Sequence, residues 1–332
     1  MKTELAITTG SANPALAAGL AESLDSRLIP CRTERFPDGE IGVQLLAPVR
    51  DRTVVIVQST SPPVNDHLVE LLALVDACRR AAALQIKVIV PYFGYARADK
   101  RKGRREPITA RMVADLLETV GVDHVLTLDP HTPQMEGFFH VPVDSLTAVP
   151  ALCSALREGL PDQVAVVSPD AGRVAMATAY ADRLKAPLIV LYKRRESGRE
   201  TAVTHIVGDV KGRTCLIIDD MIATGGTIAE SARALREAGA SPELFIAATH
   251  GLFVEGARDK LLHSGARHIF VTDSVAQASS DGFPVQVVSV APLLAAAVRQ
   301  LTADGSISEA YQAERGLDHA LRLRSGRCSR PR

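Results

Sequence analysis

A chain of 332 residues with 46% apolar side chains can build two hydrophobic cores, so a globular α/β protein is the starting expectation. Lys plus Arg and Asp plus Glu both number 38; the formal net charge of zero excludes bulk attraction to nucleic acid and leaves anion binding to local clusters. Five widely spaced cysteines without a CxxC pair argue against a disulfide framework or zinc knuckle and point to a reducing cytoplasm, and no apolar stretch approaches the ~20 residues that span a bilayer.

Glu4 to Thr8 reads as a first strand, and Asn13-Pro14 opens an alanine-rich helix that runs to about Leu24. Residues 35–40, RFPDGE, break the pattern with a Pro-Asp-Gly turn of hairpin type. Thr53 to Val57 is a strand of the doubly buried kind, and it leads into a helix whose leucines follow helical spacing. Lys87 to Val90 is the next strand. Beyond it, YFGYARADKRKGRREP (92–107) sets Arg97, Lys100, Arg101, Lys102, Arg104 and Arg105 within nine positions, where they can grip polyphosphate while the tyrosines flank a base. His124 to Leu128 is a strand ending in Asp129-Pro-His131, and Gln163 to Ser168 is a strand ending in Pro169-Asp170. Each puts a candidate metal ligand at a strand's carboxyl end. Leu188 to Leu191 leads into a basic loop, Tyr192 to Gly198, able to close over a ligand.

The most informative stretch is TCLIIDDMIATGGT (214–227). Thr214 to Ile218 is an unalternating aliphatic strand, with Asp219 and Asp220 at its carboxyl end, where an open α/β sheet keeps its ligand. Ala223, Thr224, Gly225, Gly226 and Thr227 then have the composition of a phosphate cradle, and Thr227 with Glu230 has capping-box spacing for a helix to about Gly239. Carboxylates before a phosphate cradle suit a sugar phosphate. RTVVIVQS (52–59) lines up with RTCLIIDD (213–220), so the chain contains the same α/β unit twice, with Gln58 and Ser59 in place of the two acids. His268 to Thr272 and Val285 to Ser289 complete the second sheet, and Pro292 to Leu301 is a final helix. After Ser308 the pattern fades into a tail with five arginines from Arg322 onward, for which disorder is expected.

From about Glu4 to Ser308 the sequence resembles the ribose-phosphate pyrophosphokinase family, through FPDGE (36–40), STSPPVNDHLVELL from Ser59, REPITA (105–110), DPHTPQMEGFF (129–139), SPDAG (168–172), the KRR run at 193–195 and DDMIATGGT. The resemblance implies two similar type I phosphoribosyltransferase domains, each a mostly parallel sheet flanked by helices, at 1–147 and 148–308, with 309–332 as tail. It implies transfer of the diphosphoryl group of Mg-ATP to the 1-hydroxyl of ribose 5-phosphate in a cytoplasmic homo-oligomer, a dimer or an assembly of dimers up to a hexamer. Arg97 and Asp99 would contact ATP, and Phe36, Asp38 and Glu40 would reach a neighbouring subunit's adenine pocket. His131 and Asp170 would bind or position Mg²⁺, while Asp219 and Asp220 would hold the ribose and a second metal. Residues 223–227 would take the 5-phosphate, with Lys193 and Arg195 closing over the transferred group. The alternatives are a base phosphoribosyltransferase and a non-catalytic regulatory homologue. Five positions depart from the family pattern: Ala98 stands where Gln is frequent, Arg173 replaces the second glycine of SPDxGG, Ala223 replaces the Asp that often opens the phosphate loop, and Pro48 and Arg104 stand where regulated members tend to have serines.

Overall fold

The computed structural model describes residues 4–101, 103–197, 200–278 and 282–302; the side chains of 193–204 and the arginine-rich tail lie outside the described residues. The first half runs β1 (Leu5–Thr9), α1 (Pro14–Ser23), β2 (Cys31–Arg35), β3 (Ile41–Leu45), β4 (Thr53–Val57), α2 (Val64–Arg80), β5 (Gln85–Val90), α3 (Thr109–Val120), β6 (His124–Leu128) and β7 (Val143–Leu146). The second runs α4 (Val149–Leu156), β8 (Val164–Ser168), α5 (Val174–Leu184), β9 (Leu188–Ser197), β10 (Glu200–Val207), β11 (Thr214–Ile222), α6 (Gly226–Glu237), β12 (Leu244–Gly251), α7 (Ala257–His263), β13 (Ala266–Thr272), β14 (Val285–Val288) and α8 (Ala291–Thr302).

The strands form two parallel sheets, ordered β1-β4-β5-β6-β7 and β10-β9-β8-β11-β12-β13-β14, with only β10 antiparallel; β2 and β3 make a separate hairpin. The repeat read from the sequence is visible in this topology. β4 follows β1 as β11 follows β8, and each is succeeded by a helix and then by the next strand across, β5 or β12. Both β4 and β11 are buried along their full length, as unalternating aliphatic runs demand.

Three elements depart from the sequence reading. β11 continues past Ile218 through both acids to Ile222, because β12 pairs alongside it as far as Gly251. The segment read as a basic loop is strand: β9 extends to Ser197 by pairing with β10, with Lys193 opposite Val203 and Arg195 opposite Thr201. Thr227 does not form a capping box, since α6 begins one residue earlier and its cap is Gly225, held at φ 72° where glycine is unstrained. Asn13 does cap α1, its side chain accepting from the Leu16 amide at 3.2 Å.

The two sheets meet with their carboxyl ends facing. Asn13 Nδ2 donates to the Asp273 carbonyl at 2.6 Å, Ser59 Oγ to that of Ser274, and His250 Nε2 lies 3.0 Å from the Leu128 carbonyl. Tyr92 and His250 pack edge to face at 5.1 Å. Behind this joint one apolar cluster runs from Ile7, Val55 and Leu126 through α1, α4 and α8 to Val166, Leu216 and Phe245, so the halves share a core. Asp129, only 8% exposed, accepts from Thr249 Oγ1 at 2.6 Å and the Ala148 amide at 2.9 Å across the same joint. Replacing Thr249 by the isosteric Val deprives a buried carboxylate of a donor and is expected to cost about 1–3 kcal/mol. Urea denaturation checks this as a lower midpoint with an unchanged slope.

Candidate active site

The ends of β6, β8 and β11 converge on a cavity of about 190 Å³ lined by Arg97, His131, Asp170, Arg173, Asp219, Asp220 and residues 221–228. Asp129, at φ 33°, turns the chain after β6 and sends His131 toward β11, where its Nδ1 sits 2.7 Å from Asp220 Oδ2. After β8, Asp170 Oδ1 accepts from the Gly172 amide at 2.8 Å, and the short turn Ala171–Arg173 carries the Arg173 side chain between the other groups. The Arg173 Nε is 3.5 Å from Asp219 Oδ1 and 3.3 Å from Asp220 Oδ1, and Nη1 donates to the His131 carbonyl at 3.1 Å. Nη2 lies 2.9 Å from His131 Nδ1. An ionised carboxylate only accepts, so the proton on Nδ1 faces Asp220 and the Arg173 approach is a close contact, not a second hydrogen bond.

The two acids are nearly sealed from water, Asp219 at 9% and Asp220 at 2% exposure, and their protonation is split. Burial alone pushes the Asp220 carboxyl up; hydrogen bonds from His131 and Asp219 and the charges of Arg173 and His131 more than offset it, holding the group down at about 2. Burial and the adjacent Asp220 charge push Asp219 the other way, well above the usual carboxylate range. Asp220 is therefore the pair's resident anion.

Gly225 φ 72° swings the chain into α6, so the unpaired amides of that helix's first turn face the cavity floor formed by 223–227. Thr224 and Thr227 are exposed beside them. This is an anion cradle of backbone donors at the positive end of a helix.

A second, larger cavity of about 730 Å³ is lined by Val64, Asn65, Tyr92, Tyr95, Arg97, Ala98, Lys100, Glu106, Pro107 and Thr109. Arg97 lines both cavities. The structure thus brings together Arg97, His131, Asp170, Asp219, Asp220 and the 223–227 loop. Asp99 is absent from the lining of either cavity. Phe36, Asp38 and Glu40 stand on the exposed tip between β2 and β3 and line neither cavity, with Phe36 43% exposed. Lys193 and Arg195 lie on β9; their side chains are outside the described residues.

Sequence reasoning noted Arg173 only as a departure from a pattern and gave it no role. The available signal was a cation three residues beyond a strand-end aspartate, beside an acid pair that needs one. Asp129, which opens the same motif as His131, plays a different part, its carboxylate being spent on Ala148 and Thr249. Because His131 and Asp220 act through one short contact, their alanine substitutions should not add: a double-mutant cycle by chemical denaturation is expected to show coupling of about 0.5–3 kcal/mol. Additive losses would mean that the contact contributes nothing.

Both halves of the chain match known proteins. Residues 5–121 match the N-terminal domain of ribose phosphate pyrophosphokinase, and residues 195–312 match the phosphoribosyl synthetase-associated domain. The ribose-phosphate pyrophosphokinase of Chromobacterium violaceum is 43% identical over 313 residues, covering 93% of this chain and 95% of the relative; that of Caldanaerobacter subterraneus is 40% identical over 309 residues, covering 92% and 98%. The crystal structure of phosphoribosylpyrophosphate synthetase from Mycobacterium smegmatis superposes with a TM-score of 0.84 at 40% identity, covering 91% of this chain and all of that one. With both halves matched, and relatives above the identity at which fold and family diverge, the chain belongs to the ribose-phosphate pyrophosphokinase family.

Proposed function

We propose that the chain transfers the diphosphoryl group of ATP to the 1-hydroxyl of ribose 5-phosphate, giving phosphoribosyl diphosphate and AMP. The observation that carries this reading is the position of Arg97, which lines both the tyrosine-flanked cavity and the acid-and-cradle cavity. A nucleotide whose base and ribose fill the larger space has its polyphosphate drawn past Arg97 toward the smaller one. There the amides of 223–227 take the 5-phosphate, and Asp219 and Asp220 meet the ribose hydroxyls. The C1 oxygen then attacks the β-phosphorus, the bond from that phosphorus to the α-bridging oxygen breaks, and AMP leaves. No covalent enzyme intermediate is needed, so catalysis rests on positioning and charge.

His131 and Asp170 suit a Mg²⁺ ion carried by the nucleotide. Asp220 engages Nδ1 and so leaves Nε2 as the ring nitrogen for a metal, and Asp170 keeps Oδ2 beyond its bond to Gly172. Two protein donors are what Mg²⁺ takes when substrate phosphates and water complete its octahedron. The chemistry such an ion supplies is neutralisation of charge across the phosphate oxygens. Two units, 1–147 and 148–308, divide the work, the first offering the nucleotide side and the second the sugar phosphate side. The exposed β2–β3 tip, whose Phe36, Asp38 and Glu40 line neither of the two cavities of their own chain, is the piece that reaches a neighbour's nucleotide, so the active form is at least a dimer.

Purified protein incubated with ribose 5-phosphate, ATP and Mg²⁺ should yield AMP and phosphoribosyl diphosphate in equal amounts by chromatography. ADP as the nucleotide product, or AMP formed without ribose 5-phosphate, would refute the reading. By the family resemblance Lys193 and Arg195, two apart on β9, would close on the transferred group. Loss of one preorganised cation typically costs about 10²–10³ in rate, so Lys193→Ala and Arg195→Ala should each lower kcat by that order with KM little changed, and Arg194→Ala much less. Steady-state kinetics on the three variants decides this. For the assembly, light scattering should give at least a dimer; a fully active monomer would remove the β2–β3 tip from the site.

A further inference from the structure

Arg173 brings a permanent positive charge into contact with both acids at the β11 end and with His131. Its guanidinium lies 3.5 and 3.3 Å from Asp219 and Asp220, and it is fixed from the far side by the His131 carbonyl at 3.1 Å. Its side chain is 13% exposed, against 12% and 3% for the two acids, so the contact is sheltered from solvent and salt. A neighbouring carboxylate that would favour a further cation is missing too, since residue 223 is Ala. Among the described residues no cluster of three or more His, Cys, Asp or Glu side chains is arranged to hold a metal ion.

We propose that Arg173 takes the place of a divalent cation on the Asp219 and Asp220 side of the cavity, so that a metal ion enters only on the His131 and Asp170 side. The negative charge that this buried acid pair carries requires a compensating cation beside it. Arg173 supplies it permanently, and a planar fork anchored on a carbonyl is costly to displace. A divalent ion on the same oxygens would sit within a few ångströms of the guanidinium and be repelled by it. Each carboxylate still has lone pairs beyond those facing Arg173, so ribose hydroxyls can donate to the pair without a metal between them. The inference rests on reading this cavity as the sugar phosphate side of the transfer, but it concerns metal binding by the substrate-free chain and is tested there, independently of turnover.

The test is titration of the full-length protein with Mn²⁺, reading free Mn²⁺ by electron paramagnetic resonance without nucleotide or sugar. Asp219 is the diagnostic acid, because its side chain touches Arg173 and Asp220 but not His131. Wild type and Asp219→Asn should bind Mn²⁺ alike. Arg173→Met, which keeps bulk and drops charge, and Arg173→Gly should each gain one site per chain, at least tenfold tighter than any in wild type. That site should vanish when Asp219→Asn is added, and Arg173→Lys should not acquire it. Weaker Mn²⁺ binding by Asp219→Asn than by wild type would overturn the proposal without recourse to any Arg173 variant. So would Arg173→Met and Arg173→Gly binding no more Mn²⁺ than wild type, or a gained site that survives loss of Asp219.

Discussion

The structure depends on two parallel sheets meeting end to end at their carboxyl termini. Parallel strands leave unpaired groups and ligand-binding loops at that end, so bringing two such ends together concentrates polarity in a place that must also be sealed. The chain solves this with side chains that bridge. His250, buried between the sheets, reaches the Leu128 carbonyl with Nε2 and Ser274 Oγ with Nδ1, and burial depresses its affinity for a proton, so it bridges as a neutral ring. Asp129 does the same with Thr249 and Ala148. The apolar cluster that spans both halves could not close if these groups were left unsatisfied.

At the edge of this joint the same demand generates the site. Asp219 and Asp220 are placed by β11 continuing through them, which buries charge that an open turn would have left in water. Their neutralisation is local: a proton favours Asp219, while His131 and Arg173 hold Asp220 as an anion. His131 comes from the first sheet and Arg173 from the loop after β8, so the charge balance of the acid pair exists only when the two halves are docked. Catalytic geometry and the docking of the halves are thus one network.

Much of this was legible in the sequence because the chemistry is local. β4 and β6 were bounded to the residue, since β-branched aliphatic runs between turn residues have little freedom to be anything else. The acid pair and glycine-rich turn were legible for the same reason: composition and order alone describe a strand end and a phosphate cradle. What was not legible depends on partners distant in sequence. The extension of β11 through Met221 and Ile222 is dictated by β12, the conversion of 192–197 to strand by β10, and the cap of α6 by a left-handed Gly225 that outranks the Thr227 hydroxyl. Arg173 carries only a weak local signal, its spacing from Asp170, because a lone arginine after a glycine reads as solvent-exposed until the opposing acids are in place.

The repeated unit shows why only one half keeps the acids. Gln58 and Ser59 stand where Asp219 and Asp220 stand in the second copy, and both are fully buried at the joint. Ser59 donates to the Ser274 carbonyl across it, and Gln58 Nε2 donates to Glu70 Oε2 at 2.7 Å, with Glu70 also accepting from the Ser11 amide at 2.8 Å. Further carboxylates at the facing strand end would add buried negative charge beside Asp219 and Asp220 and would need compensation of their own. A neutral amide and a hydroxyl instead supply donors that match backbone acceptors, and they let the first half serve as the wall against which the second half's acids are organised. Replacing the acids in one copy thus limits the buried charge at the joint to the pair kept in the other, and the duplicated fold becomes asymmetric there.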